Sequence, residues 1–309
     1  MLRRAFLKVA PALGLLAACG KSAKIRLALD WKPEPEFGGF YAAPFEKHGL
    51  DVEILPGGAG TPTVQMVGAG SAEFGIVEAD ELVLARSKSN PVVGLFTVYQ
   101  HSPMGIMVHA GRNLTSIGDV LKEGTLAVQQ GLPYVKLLEK QYGFAHVRVV
   151  PSPGGDLTAF LGDPKFAQQV FITSEPLAAR RKGVAVKVFP VADIGYDPYT
   201  NVLATSDDTL RKNPEMVKSM VAAVREGWRA YLDDPKTTNE KMHQMNPSMD
   251  ADTFAEVAEA QKPFIEDDET RKNGLGTMTK ARWETLIGQL KDLGDIPMAI
   301  PAEECFRQL

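Results

Sequence analysis

The chain has 309 residues, of which 44% are hydrophobic and 23% are charged, and its formal net charge is −4. This length fits one large domain or two mid-sized domains, and the ordinary composition excludes a disordered chain and a polytopic membrane protein. The slight excess of acidic residues disfavours a DNA- or RNA-binding role, because nucleic-acid backbones are bound by basic surfaces.

The first 18 residues have the pattern of an export signal. A basic start from Arg3 to Lys8 precedes a ten-residue apolar segment from Val9 to Ala18, and Cys19 follows it. Ten apolar residues are too few to span a bilayer as a helix, which takes about 20. We therefore predict that residues 1–18 are a signal peptide and that the mature protein is exported.

Two shorter motifs in this segment indicate an export route and an anchor. The run RRAFLK resembles the twin-arginine (Tat) export motif, although Leu2 stands where Ser or Thr is usual, and LAAC resembles a bacterial lipoprotein cleavage box. Cleavage before Cys19 would leave its thiol and amine for lipidation, which would anchor the protein to a membrane. Residues 19–23 are then a predicted tether, and loss of residues 1–18 changes the formal charge to −7.

The cysteines and histidines argue against several kinds of site. Cys19 and Cys305 are the only cysteines, so a lipidated Cys19 leaves no partner for a disulfide, and a cysteine-rich metal or redox site is excluded. The five histidines include no pair at metal-ligand spacing and no HExxH motif. GxSxG and GxxxxGK[ST] are also missing. We therefore predict no catalytic residue, no metal and no cofactor.

After the leader, the sequence alternates between strand and helix patterns. KIRLAL predicts a first strand, a helix is expected from Gly38 to Lys47 with Gly49 as its C-cap, and LDVEIL predicts a second strand. A short helix is expected around residues 63–67, and the apolar runs FGIVE and PVVGLFTVY flank the helix ADELVLARSKS. This order indicates an α/β sheet with helices on both faces.

A second series of strands and helices begins near Pro103. GIMVHA, TLAVQ, VRVV and VFIT predict strands with helices between them, and VAVKVFPV and TNVLATS return the chain. The remainder is helical, because apolar residues recur at spacings of three and four from Val217 to Leu232 and from Trp283 to Leu293. Trp228 and Trp283 are therefore predicted to lie in the core.

Polar and aromatic residues follow the predicted strands, where ligands bind in open α/β sheets. The stretch DWKPEPEFGGFY, from Asp30 to Tyr41, starts at the end of the first strand, and its prolines and glycines suit a stiff lip that allows close approach. The candidates in the first half of the chain are Asp30, Trp31, Phe37, Tyr41, Glu78, Asp80, Glu81, Tyr99 and Gln100, while Glu34 and Glu36 face either the ligand or water.

Three later segments add candidates. Glu175 follows VFIT, and the loop PSPGGD, with Gly154, Gly155 and Asp156, leads into a helix. The backbone N–H groups of that loop could hold a ligand oxygen, or Asp156 could simply cap the helix. The loop DIGYDPYTN offers side chains that could stack on a flat ring and donate hydrogen bonds, or lie at the surface: Tyr196, Tyr199 and Asn201.

With these features in place, the sequence resembles a periplasmic substrate-binding protein of a bacterial ABC importer. It is most similar to the family that includes binders of thiamine-pyrimidine precursors and, more distantly, of nitrate and alkanesulfonates. The resemblance is carried by LDWKPEPEFGGFYAA, FEKHGLDVEILPGG, AEFGIVEADELVLARSKSNPVVGLFTVYQHSPMGIMV, SEP at 174–176 and DPYTNVLATS. It spans nearly all of the mature chain.

The resemblance implies two α/β lobes joined by two crossover strands, the type II binding-protein fold, with a helical C-terminal segment packed on the first lobe. The first lobe would comprise residues 24–103 with 201–309, and the second lobe residues 104–200. The ligand would be trapped between the lobes as they close. A monomer that delivers the ligand to an ABC permease and ATPase, in the periplasm or at the cell surface, is the implied setting.

The charge of the candidate loops favours one class of ligand. Six carboxylates collect at the predicted strand ends with no arginine in the same loops: Asp30, Glu34, Glu36, Glu78, Asp80 and Glu81. An anion would be poorly held there, whereas carboxylates beside aromatic rings suit a flat, amino-bearing nitrogen heterocycle. We expect a pyrimidine, a thiamine-precursor-like compound or a flavin-like compound.

Three alternatives stay open from sequence. An anion binder of the same fold, for nitrate, a sulfonate or taurine, is the first. The second is an enzyme, because the resemblance extends to a eukaryotic enzyme that makes the thiamine pyrimidine, although its cysteine-rich segment is absent here. The third is a lipid-tethered sensor or scaffold with a binding-protein fold.

Overall fold

The computed structural model describes residues 24–309. The predicted signal peptide, twin-arginine motif, lipid attachment site at Cys19 and tether lie outside the described residues. Among residues 24–309 there is no helix that is both long enough and apolar enough to cross a membrane.

Ten strands in residues 24–309 form two five-stranded sheets. The first sheet has the order β2-β1-β3-β10-β4 and the second has the order β7-β6-β8-β5-β9. The strands are β1 (Ile25–Ala28), β2 (Val52–Leu55), β3 (Phe74–Val77), β4 (Val92–Tyr99), β5 (Met104–His109), β6 (Thr125–Val128), β7 (Arg148–Pro151), β8 (Phe166–Phe171), β9 (Val186–Pro190) and β10 (Thr200–Ser206).

Helices cover both sheets, and the C-terminal third of the chain is almost wholly helical. The α-helices are α1 (Gly38–Ala42), α2 (Thr63–Gly68), α3 (Ala79–Ser87), α4 (Ile117–Val120), α5 (Pro133–Tyr142), α6 (Thr158–Gly162), α7 (Glu175–Arg181), α8 (Asp207–Lys212), α9 (Pro214–Asp233), α10 (Lys236–Met245), α11 (Ala251–Ala260), α12 (Lys262–Ile265), α13 (Asp268–Asn273), α14 (Lys280–Asp292) and α15 (Ala302–Cys305). Short 3-10 helices lie at Pro35–Phe37, Phe45–His48, Ala110–Arg112 and Val191–Ile194.

Each sheet with its helices forms one lobe, and the predicted fold of two α/β lobes is confirmed. Within each sheet one strand runs antiparallel to its neighbours, β10 in the first lobe and β5 in the second. The chain enters the second lobe after β4, through residues 100–103, and returns to β10 through residues 191–199. Because β4 and β10 pair side by side, both connections leave the first lobe at the same edge of its sheet.

This topology fixes where the loops lie. The carboxyl ends of β1, β3 and β4 share the edge of the first sheet from which the chain crosses to the second lobe. The carboxyl ends of β6, β7, β8 and β9 share the corresponding edge of the second sheet, where β5 begins. The loops after these strands therefore face one another across a cleft, as ligand-binding loops do in open α/β sheets.

The C-terminal helices pack on the first lobe. Helix α9 lies against α1, where the absence of a side chain at Gly39 makes room for Trp228, and a Cβ atom built there would overlap the indole. Trp228 is completely buried and Trp283 is 1% exposed, as the helical periodicity predicted for both. The resulting close packing of α1 and α9 holds the preceding loop, residues 30–37, in place.

Two predicted elements differ from the structure. The helix expected from Gly38 to Lys47 is interrupted, since α1 ends at Ala42 and Ala43 is extended, with φ −64° and ψ 129°. Pro44 explains the break, because proline lacks an N–H donor and disfavours a helical residue before it. Gly49 still closes the second half at φ 73°.

The strand expected at VFIT starts earlier, because β8 includes two glutamines that hid the apolar pattern. Gln168 donates to the carbonyl of Asp156 at 3.2 Å, and the Gln169 side chain accepts from the Tyr134 hydroxyl and from the Gln129 N–H. These hydrogen bonds allow polar side chains to occupy a buried strand.

The close contact between α1 and α9 can be tested by adding a methyl group where the helices meet. We expect Gly39→Ala to lower the free energy of unfolding by about 1 to 3 kcal/mol, because the added methyl group overlaps Trp228. Gly288→Ala is the control, since a Cβ at this position within α14 meets no atom within 4 Å; it should raise stability by up to about 1 kcal/mol. Urea denaturation of both variants measures the difference, and equal stabilities would contradict the packing.

Candidate ligand-binding cleft

Five carboxylates from facing loops converge at the cleft, and we call them the acidic cluster: Asp30, Glu34, Glu36, Glu78 and Glu175. Asp30 follows β1 and Glu78 follows β3, while Glu175 opens α7 in the second lobe. Glu34, Asp30, Glu78 and Glu175 all raise the pKa of Glu36 by repulsion. Because all five side chains are partly exposed, they line an opening rather than the packed interior.

Burial is the largest cause of raised pKa values throughout the acidic cluster. It raises the pKa of Asp30 and of Glu175 to about 7. The pKa values of Glu36 and Glu78 rise further above their ordinary value, because repulsion from neighbouring carboxylates adds to burial. Within residues 24–309, none of the salt bridges includes a member of the acidic cluster. The cleft is therefore rich in hydrogen-bond acceptors and poor in cations.

One carboxylate oxygen of Asp30 shows the same shortage of hydrogen-bond donors. This atom, Oδ1, is completely buried and has no hydrogen-bond partner in the described part of the chain. A buried, unpaired carboxylate oxygen costs free energy, because it loses its hydrogen bonds to water without replacement. A donor from a bound molecule would remove that cost.

Trp31 faces the second lobe, where two glycines allow the loop to approach it. A Cβ atom built on Gly154 would lie 3.7 Å from Cη2 of Trp31, and one built on Gly155 would lie 3.5 Å from Oε1 of Glu175. Both glycines have positive φ angles, 62° and 93°, which other residues adopt only with strain. The indole thus forms one wall of the cleft, and bare backbone forms the wall opposite.

Asn201 supports the acidic cluster from below. Its side-chain Nδ2 donates to the carbonyl oxygen of Glu36 at 3.3 Å, and its backbone N–H lowers the pKa of Glu78, against the larger upward effect of burial. It is 1% exposed and has a left-handed backbone, with φ 53°, which is uncommon outside glycine. Asn201 was predicted to contact the ligand; the structure places it beneath the cleft, where its side-chain amide is bonded to the backbone of Glu36.

Asp80 and Tyr196, also predicted as ligand contacts, bind each other. The Tyr196 hydroxyl donates to Oδ2 of Asp80 at 2.7 Å, and the Glu81 N–H donates to Oδ1 at 2.8 Å. Asp80 is 7% exposed and Tyr196 is 2% exposed, whereas the Glu81 side chain is open to solvent at the rim. Because the polar atoms of the pair are already satisfied inside the protein, a role for them as ligand contacts is not supported.

Other predicted contacts lie in the core or form hydrogen bonds within the fold, although the buried Tyr41 hydroxyl has no hydrogen-bond partner among residues 24–309. Phe37 is completely buried in the first lobe, and Tyr41 packs against the same core with its hydroxyl buried. Gln100 donates to the carbonyl of Thr277 at 3.0 Å, and the Tyr199 hydroxyl accepts the Thr279 N–H at 2.9 Å. These residues pack beneath the cleft or beside the crossover segments. The structure does not bring Phe37, Gln100 or Tyr199 to the cleft.

Two more predicted residues have local partners. The Tyr99 hydroxyl donates to Gln261 at 2.7 Å, in the buried layer beneath the cleft. Asp156 is exposed, and its carboxylate accepts the Thr158 N–H at 2.7 Å, so it serves the start of α6. Asp156 thus bonds the first residue of α6 but is not its N-cap, which is Leu157, while Gly154 and Gly155 lie at the cleft.

Sequence reasoning missed Asn246, which lies between α10 and α11. Its Nδ2 donates to the carbonyl oxygen of Pro33 and to Oε1 of Glu34, both at 3.2 Å. These two bonds join the lip of the cleft to the C-terminal helices. Nothing local to Asn246 signals this, because its partners are more than 200 residues away in sequence.

The raised pKa values predict how stability changes with pH. The neutral isostere Glu175→Gln should match the parent near pH 4, where both side chains are uncharged. The pKa of Glu175 is about 7 in the folded protein and ordinary in the unfolded chain, so the parent loses stability as the pH rises from about 4.5 to 7. Above that range the variant should be more stable than the parent by on the order of 1 kcal/mol. Urea denaturation at pH 4 and pH 8 gives the comparison.

Glu303→Gln is the matched control for this prediction, because Glu303 is exposed and paired with Lys280, which holds its pKa below the ordinary value. It should show no gain at high pH. An equal response of the two variants would contradict the assignment of repulsion and burial to Glu175.

Comparisons with known proteins bear on the family and the fold. The family described as NMT1/THI5 like matches residues 34–238. Riboflavin-binding protein RibY from Chloroflexus aurantiacus is 26% identical over 230 residues, which span 69% of this chain and 63% of that protein, just under two thirds of its length. A formylaminopyrimidine-binding protein from Halalkalibacterium halodurans is 23% identical over 221 residues, which span 68% of this chain and 67% of that protein.

Enzymes and solved binding proteins are also among the similar proteins. A 4-amino-5-hydroxymethyl-2-methylpyrimidine phosphate synthase from Saccharomyces cerevisiae is 23% identical over 236 residues, which span 69% of this chain and 68% of the enzyme. The periplasmic aliphatic sulphonate-binding protein SsuA from Escherichia coli superposes with a TM-score of 0.68 at 15% identity, over 93% of each chain. The chain therefore belongs to the NMT1/THI5-like family and has the fold of the periplasmic binding proteins.

Proposed function

We propose that this chain is an extracytoplasmic substrate-binding protein that captures a small nitrogen heterocycle between its lobes and delivers it to an ABC permease and ATPase. The observation that carries the proposal is the acidic cluster, which lies beside Trp31 and forms no salt bridge among residues 24–309; the one ammonium nearby, that of Lys32, is 5.8 Å from the indole ring. An amino-bearing ring could donate N–H groups to the carboxylates and stack on the indole. Pyrimidines, thiamine precursors and flavin-like compounds have this chemistry.

Support for the heterocycle comes from relatives whose names state what they bind. One is named for riboflavin and another for formylaminopyrimidine, and both ligands are flat and rich in nitrogen. The alternative, a nitrate, sulfonate or taurine binder, is favoured by the superposition on a sulphonate-binding protein, but that likeness concerns the fold. An anion would meet the acidic cluster as a like charge, so we rank it second.

A pyrimidine-synthesising enzyme is the other candidate, because curated synthases are similar to this chain. The cysteine-rich segment implied for that enzyme is not present in this sequence. The Cys305 thiol is completely buried, and burial raises its pKa to about 12, so it offers no reactive thiolate. We therefore propose a binding role without catalysis.

The setting of the protein is part of the proposal. Export by residues 1–18, lipidation of Cys19 and a monomeric state would place two lobes, residues 24–103 with 201–309 and residues 104–200, on a tether at a membrane surface. Closure of the lobes would then be driven by the higher affinity of the ligand for the closed form. A sensor or scaffold would share these features, and a neighbouring pair of permease and ATPase genes would argue against it.

A binding panel tests the class of ligand and the charge of the cleft together. Riboflavin, thiamine and aminopyrimidines should stabilise the protein in a thermal-shift assay, whereas nitrate, taurine and alkanesulfonates should not. Each phosphate ester should bind at least about tenfold more weakly than its parent compound, because the phosphate meets the acidic cluster. Riboflavin against its monophosphate is the most direct pair. Stabilisation by an alkanesulfonate and by no heterocycle would contradict the proposal.

Stacking on Trp31 is tested by removing the indole. Trp31→Ala should weaken binding of the heterocycle by about ten- to a hundredfold, since it loses both buried area and ring contact. The fold should survive, because Trp31 is only partly buried at the cleft. Tyr142→Ala, at a 49% exposed aromatic residue of the second lobe, is the control and should bind normally. Unchanged binding by Trp31→Ala, measured by calorimetry, would refute stacking.

A further inference from the structure

An arginine of the second lobe forms salt bridges with a helix of the first lobe. The guanidinium of Arg181, at the end of α7, places Nη1 2.6 Å from Oδ1 of Asp250 and Nη2 2.9 Å from Oε1 of Glu256. Nη1 also donates to the hydroxyl of Thr253. We call this set of contacts, between Arg181 and three residues at the start and middle of α11, the arginine fork.

The first-lobe side of the arginine fork is held in place before the arginine binds. Asp250 is the N-cap of α11, because its Oδ1 accepts the Thr253 N–H at 2.8 Å and its Oδ2 accepts the Thr253 hydroxyl at 2.9 Å. A fixed carboxylate loses little conformational entropy when it pairs, and a guanidinium that reaches two carboxylates gains more than a single exposed ion pair. For both reasons, the fork should contribute more free energy than an isolated ion pair at the surface.

The two helices joined by the fork both lead back to the cleft. Helix α7 begins at Glu175, a member of the acidic cluster, and runs for seven residues to Arg181. Helix α11 follows the segment in which Asn246 donates to Glu34, another member of the cluster. A change in the separation of the lobes at the fork would therefore also move the residues that line the cleft.

A second set of contacts between the lobes lies beside the crossover segments, and it also includes an ion pair, between Lys136 of α5 and Asp295 after α14. There the Lys140 ammonium donates to the carbonyl of Asp292 at 3.0 Å, and Gln289 donates to the carbonyl of Gly195, in the returning connection, at 2.6 Å. Tyr199 and Trp283 pack together in the same region, with ring centroids 6.0 Å apart. This side is already tied by the chain itself, whereas no hydrogen bond in residues 24–309 joins α7 or α11 to the crossover segments.

We propose that Arg181 is an affinity-determining residue that touches no ligand: the arginine fork latches the two lobes together and so sets how long a captured molecule stays. The lobes can separate only by breaking the fork, so its strength adds to the free-energy difference between closed and open forms. The effect on residence time rests on the proposed function, while the latching of the lobes does not.

The latch is tested first without any ligand. Arg181→Ala should increase the radius of gyration measured by small-angle X-ray scattering in low salt, because the ligand-free protein loses the bias towards closure. Added salt at 0.5 M should move the parent in the same direction, since exposed ion pairs are screened. Arg180→Ala is the matched control: it removes the same charge from the neighbouring, exposed residue of α7, which makes no salt bridge among the described residues. Equal radii for the parent and Arg181→Ala would overturn the latch.

The second measurement uses riboflavin as the probe. Arg181→Ala should raise the dissociation rate constant by about five- to thirtyfold and leave the association rate constant within a factor of about two. Glu256→Gln, which keeps the Asp250 contact, should give an intermediate rate, and Arg180→Ala should match the parent. A weaker association with unchanged dissociation would overturn the proposal. If riboflavin does not bind the parent, the flavin-like part of the ligand class is excluded, and the scattering comparison still decides the latch.

Discussion

The structure depends on one electrostatic constraint, which is that four carboxylates of the first lobe and Glu175 of the second lobe lie together without a salt-bridge partner among residues 24–309. Burial, with repulsion at Glu36, raises the pKa values of these carboxyl groups. Some of them are therefore protonated at neutral pH, which lowers the free-energy cost of holding them together. A molecule that supplies N–H donors or positive charge would relieve the same repulsion. Closure and ligand capture are therefore coupled by the charge of the cleft itself.

The rest of the fold holds this unfavourable arrangement in place. Close packing of α1 against Trp228 fixes the loop that carries Asp30, Glu34 and Glu36, and Asn201, with its left-handed backbone, bonds that loop at the carbonyl of Glu36. On the outer side of the lobes, the arginine fork supplies the cation that the cleft lacks, at a distance from the ligand. Attraction at the fork thus opposes repulsion at the acidic cluster, and their balance sets the free energy of closure.

The sequence predicted the features that follow from local periodicity and strand order. The two lobes, most strands, the buried tryptophans and the placement of Asp30, Trp31, Glu78, Gly154 and Gly155 at strand ends all follow from such rules. The same rules could not distinguish a residue that lines the cleft from one that is buried beneath it. Tyr196 and Asp80 both follow strands, but a hydrogen bond between residues 116 positions apart buries them. Asn246 acts across 213 residues and Arg181 across 69, and such separations leave no local pattern.

The central claim is that the cleft selects a nitrogen heterocycle because its charge excludes anions. The most direct measurement is to purify the protein without added ligand, unfold it gently, and identify by mass spectrometry the compound that it carried. The account predicts a neutral or cationic, nitrogen-rich, flat molecule without a phosphate or sulfonate group. Recovery of a sulfonate, nitrate or phosphate ester in stoichiometric amount would contradict it.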